Sequence, residues 1–128
     1  MTDLLNNCQD VLEALSREKQ DRIQKVIEDI TNEKYEKVAE LKASFDFMIK
    51  RLEQQKQKDK AEAKKVQKDE EVKQLQGQMD ALKKEKLEEV NREYEERRRE
   101  ALQQIKDSQI SEVSQKLVDI SRLNTPSA

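Results

Sequence analysis

Pro126 is the first proline in this chain, and Gly77 is its only glycine. A backbone with so few breakers, built mainly from Glu, Lys, Gln, Arg, Leu and Ala, is free to run as helix over most of its length. Apolar residues then return every three or four positions: Ile23, Val26 or Ile27, Ile30, Val38, Leu41, Phe45, Met48 or Ile49, and Leu52. Steps of that size hold one stripe on one side of a helix. The stripe is interrupted once, between Ile30 and Val38, where its position falls on Lys34 beside Tyr35. That gap reads as a stutter that locally unwinds a supercoil.

The second half repeats the pattern with Leu75, Met79, Leu82, Leu87, Val90, Tyr94, Ala101 or Leu102, and Ile105. Sustained heptads with charged flanks are the signature of a coiled coil. The predicted seam therefore comprises Ile23, Ile30, Val38, Leu41, Phe45, Ile49, Leu52, Leu75, Met79, Leu82, Val90 and Ile105. Acids also stand four residues before bases, as in Glu33/Lys37, Asp46/Lys50, Asp80/Lys84, Glu93/Arg97 and Glu112/Lys116. Each such pair contributes about 0.2–0.5 kcal/mol to an isolated helix, enough to support helicity but not to hold partners.

The two ends are more apolar than the middle. Leu4, Leu5, Cys8, Val11, Leu12 and Leu15 form a broad face, and Ile110, Val113, Leu117, Ile120 and Leu123 form the most regular run in the chain. Both are expected to dock partners. The expected organisation is a tail at 1–3, a first coiled-coil arm at 4–57, a polar stretch at 58–71, a second arm at 72–123 and a flexible tail at 124–128. Thr125-Pro126 has the form of a proline-directed phosphorylation site.

These features make the fold class all-α and leave two architectures. One is a long coiled-coil helix in a parallel or mixed bundle. The other is an antiparallel helical hairpin with its apex near residues 58–68. Pairing positions whose numbers sum to 128 sets Cys8 against Ile120, Val11 against Leu117 and Leu15 against Val113. Any two heptad stripes in phase match in this way, however. The apex region Ala61-Glu62-Ala63-Lys64 holds strong helix formers and no Gly, Pro, Asn or Ser, which favours the long helix.

Composition narrows function by exclusion. There is no His and a single Cys, so a zinc site, a catalytic triad or a disulfide framework is not expected, nor is any cofactor. Carboxylates are plentiful, but a thin helical assembly offers no dehydrated pocket to separate two of their pKa values, so the chain is not expected to be an enzyme. Lys and Arg number 26 against 28 Asp and Glu. That balance, with Arg97-Arg98-Arg99 embedded among Glu93, Glu95, Glu96 and Glu100, argues against nucleic-acid binding. No segment is apolar enough to span a membrane, and Met1-Thr2-Asp3-Leu4-Leu5 lacks the basic start of a signal peptide.

The expected role is that of a structural or scaffolding subunit. It would oligomerise or dock protein partners by helix–helix packing inside an intracellular assembly, cytoplasmic or cytoskeletal, of a kinetochore or centrosome-like kind. The alternative is a regulatory amphipathic helix that orders on the surface of a motor, tubulin or an enzyme. Phe47, off the seam, is the better candidate for an outward partner contact.

Overall fold

A computed structural model describes the backbone of residues 2–123 and the side chains of residues 7–122. The side chains of Leu4, Leu5 and Leu123, and all of Thr125, lie outside the described residues. The fold is all-α: helix α1 runs Thr2–Gln54 and helix α2 runs Lys58–Leu123, with no strand among the described residues. The single uninterrupted helix favoured by composition is not formed. The two long helices pack together as a hairpin, the second of the two expected architectures.

The bend falls at Gln55-Lys56-Gln57, ahead of the expected 58–68. The Gln57 N–H donates to the Leu52 carbonyl at 2.9 Å, and the Lys56 N–H donates to the Glu53 carbonyl at 3.0 Å. These are the six-to-one and five-to-two bonds of a Schellman motif, which satisfy the last carbonyls of α1. The motif needs one residue in left-handed geometry, normally glycine. Here it is Lys56, with φ of 57°. The Gln57 carbonyl then accepts the Ala61 N–H at 3.0 Å and opens α2, so one residue both closes the first helix and starts the second. Lys56→Gly removes the Cβ penalty of that geometry and is expected to stabilise the fold by roughly 1 kcal/mol, read from a urea melt.

Two compact units are present. One comprises Asp21–Val90; the other comprises Met1–Gln20 with Asn91–Ala128. In the first, the two helices run antiparallel from the bend. Lys34 bonds Asp80 at 2.9 Å and Lys68 bonds Asp46 at 2.6 Å, and both pairs join positions summing to 114. The expected sum of 128 is thus displaced by two heptads. Heptad periodicity sets the phase between arms, but the bend sets the register, and shifts of seven residues are invisible to phase.

Near the bend Phe45, Ile49 and Ala61 form a buried cluster, with Leu41 and Leu52 packed against it. Ala61 is small enough to let α2 close on the larger side chains directly after the turn. The polar stretch 58–71 forms the opening turns of α2. Its seam positions Lys64 and Lys68 are half-buried, the aliphatic stems lying along the interface while the charged heads stay near water. Lys34 fills the apparent stutter in α1 in the same way, half-buried with its ammonium on Asp80.

Gly77 sits exposed in the interior of α2, and a Cβ added there would meet nothing within 4 Å. Gly77→Ala is accordingly expected to raise stability by about 0.5–1 kcal/mol without altering the fold, again read from a urea melt.

In the second unit Tyr94 is buried on α2, with Ala101 and Ile105 half-buried further along, while Cys8, Leu12, Leu15 and Lys19 are half-buried on α1. The Arg97 guanidinium grips the Glu18 carboxylate on the other helix with two bonds of 2.8 and 3.2 Å, and lies 5.0 Å from the centre of the Tyr94 ring.

Candidate interaction surface

Every predicted seam residue is buried or half-buried. Ile30, Val38, Phe45, Ile49, Met79 and Val90 are buried, and Ile23, Leu41, Leu52, Leu75, Leu82 and Ile105 are half-buried. Three further buried positions, Ala61, Val72 and Tyr94, complete the stripe. Val72 stands three residues before Leu75 and seven before Met79, a heptad signal hidden by the charged residues around it, Glu70, Glu71 and Lys73.

The ion pairs divide between the helices differently from the sequence expectation. Glu33–Lys37 at 2.8 Å and Glu112–Lys116 at 3.7 Å form within one helix as expected. Asp46 and Asp80 instead reach across, to Lys68 and Lys34, and Arg97 also bonds Glu18 on the other helix. Lys65 also bridges helices, 3.3 Å from Glu53. Hydrogen bonds that its ammonium donates to the Glu62 and then the Glu53 carboxylate raise its pKa above the ordinary lysine value of 10.5. A raised cation stabilises the fold fully below its unfolded pKa and loses that contribution as pH climbs through the folded one. The melting midpoint is therefore expected to hold from about pH 6 to 9, with no histidine to titrate there, and to fall only above the lysine range.

The docking ends separate into different environments. At the first, Cys8, Leu12 and Leu15 are half-buried and, among the described residues of that face, only Val11 is exposed. Leu12 and Leu15 line an open groove there with Lys19, Tyr94 and Arg98. The second end is different. Ile110 is 59 % exposed, Val113 46 %, Leu117 62 % and Ile120 54 %.

Two features account for that exposure, the reach of α1 and the row's angular position: Glu18 meets Arg97, so in this register Thr2 falls opposite about position 113, and Leu117 and Ile120 lie past the start of α1. The face of α2 turned toward α1 follows Val90, Tyr94, Arg97, Ala101 and Ile105, in steps of three and four. Continued at the same spacing, it reaches Ser108 and Glu112, and Glu112 is half-buried while the adjacent Val113 is not. Successive residues turn by about 100°, so Ile110, Val113, Leu117 and Ile120 lie well over a quarter turn round the helix. The change of face is written in the sequence as a step of five from Ile105 to Ile110. A helix that buries one stripe and carries a second regular apolar row in water holds an interaction surface.

Two exposed aromatics, Tyr35 and Phe47, stand on the outer side of α1. Phe47 is placed outward as its position off the seam implied. Among the described residues, no group of His, Cys, Asp and Glu could hold a metal ion, and no helix is long and apolar enough to cross a membrane. No family model, no curated protein and no solved structure matches this chain.

Proposed function

We propose that this chain is a non-enzymatic structural subunit, a helical hairpin that docks partner proteins in an intracellular assembly of the cytoskeletal, kinetochore or centrosome-like kind. The observation that carries this reading is the solvated row Ile110, Val113, Leu117 and Ile120, coiled-coil in spacing and turned away from the face of α2 that packs in the hairpin. The mechanism is geometric. The seam within each unit pairs the helices, the charged exterior keeps them dispersed, and the tail of α2 presents an apolar edge to another helix. The internal seam also supports this over a regulatory helix that orders only on a foreign groove, because both arms already bury each other's stripes.

A photo-activated crosslinking residue at Leu117 tests the reading in cells, with the same residue at exposed Gln78 as reference. Protein adducts at position 117 and few at position 78 are expected; equal labelling would refute a docking role for the α2 tail.

A further inference from the structure

We infer that the row Ile110, Val113, Leu117 and Ile120 takes a second copy of this chain, with the two α2 tails antiparallel. The inference rests on the reading of that row as a docking surface and names its occupant. Steps of three, four and three assign Ile110 and Leu117 to heptad position a and Val113 and Ile120 to position d. A parallel two-stranded pair favours leucine at d, whereas both d residues here are β-branched. Reversing one strand sets each a residue against a d residue. Ile110 then meets Ile120 of the second copy, and Val113 meets Leu117. The row is its own complement about a two-fold axis near Gln115, the isologous arrangement that closed dimers use.

Charge selects the same occupant. Between Ile110 and Ile120 stand only Glu112, Lys116 and Asp119 as charged groups, and the positions flanking the row include Gln109, Ser114 and Ser121. So neutral an edge attracts neither a strongly basic nor a strongly acidic partner, and it suits a copy of itself. The reversed pair brings the two Lys116 side chains together, and each arrives with its own Glu112 carboxylate 3.7 Å away. Four apolar residues per copy make a small interface beside the roughly 800 Å² per partner of a standard one, so the dimer is a reversible one, to be sought between about 1 µM and 1 mM.

Sedimentation equilibrium of the full chain over that range is expected to show the mass rising from 15.1 kDa toward twice that value. Leu117→Asp weakens the dimer at least about tenfold and leaves helicity unchanged, because the side chain is 62 % exposed within one copy. Orientation is read by disulfide trapping in a Cys8→Ser background. Val113→Cys chains mixed with tagged Leu117→Cys chains are expected to crosslink to one another, and neither variant to itself. Self-crosslinking of either variant, or a mass that Leu117→Asp does not change, overturns the inference. A chain that stays at 15.1 kDa throughout, yet still gives adducts at position 117 in cells, sinks the second copy and leaves the docking role standing; loss of both removes the two together.

Discussion

Phe45→Ala is expected to cost about 3–5 kcal/mol and to lower the melting midpoint by on the order of 12 °C or more, followed by far-ultraviolet circular dichroism. Phe45 is 4 % exposed and is the largest member of the cluster it forms with Ile49 and Ala61 beside the bend. A two-helix interface is one layer of side chains thick. The space left by a phenyl ring has no second layer to relax into it, so water enters or the helices part. Against a total folding stability of roughly 5–15 kcal/mol, a loss of that size approaches unfolding. Asp46→Ala, which removes only the surface partner of Lys68, is expected to cost under about 1 kcal/mol. Equal effects of the two substitutions would show that the apolar layer does not hold this unit together.

Tyr94→Ala is the second large effect, and it falls in the other unit. Tyr94 is 3 % exposed, carries Arg97 over its ring and lines the groove with Leu12 and Leu15. Aromatic truncation at such a site costs about 3–5 kcal/mol, and the loss of the ring also frees the guanidinium that grips Glu18. The expected reading is by amide hydrogen exchange: protection across 7–20 and 91–105 falls by two orders of magnitude or more, while Asp21–Val90 keep theirs. Uniform loss along both helices would mean that the two units open as one.

Both predictions draw on seams that the residue spacing already contained. The three- and four-residue steps put Phe45, Ile49, Met79 and Val90 on one stripe, and all are buried. What spacing does not contain is where the chain reverses. Gln55-Lys56-Gln57 has no glycine, proline or asparagine, because Lys56 itself takes the left-handed geometry that those residues usually supply. With the bend unmarked, pairing Val11 with Leu117 looked as good as the true register, two heptads away. The stretch 58–71 is polar by residue type, Lys64 and Lys68 included, yet these two are half-buried at seam positions. At the far end, Ile110 to Ile120 was legible as the most regular run, but not as a run on a different face. The five-residue step after Ile105 carried that information, and counting apolar residues without their angles passes over it.

The three-residue bend has a consequence for how such a chain can change in length. Gln57 caps α1 through its N–H and opens α2 through its carbonyl, so the turn has no slack to absorb a misfit, and within Asp21–Val90 the arms are geared to each other. One residue added inside either arm rotates everything beyond it by about 100° and throws the stripe into water. Seven keep the stripe inward but strand partners such as Lys34 and Asp80 a heptad apart. Only matched insertions, a heptad in each arm at facing positions, preserve both. The unit Asp21–Val90 can grow or shrink only as a ladder does, by whole rungs with both rails cut together.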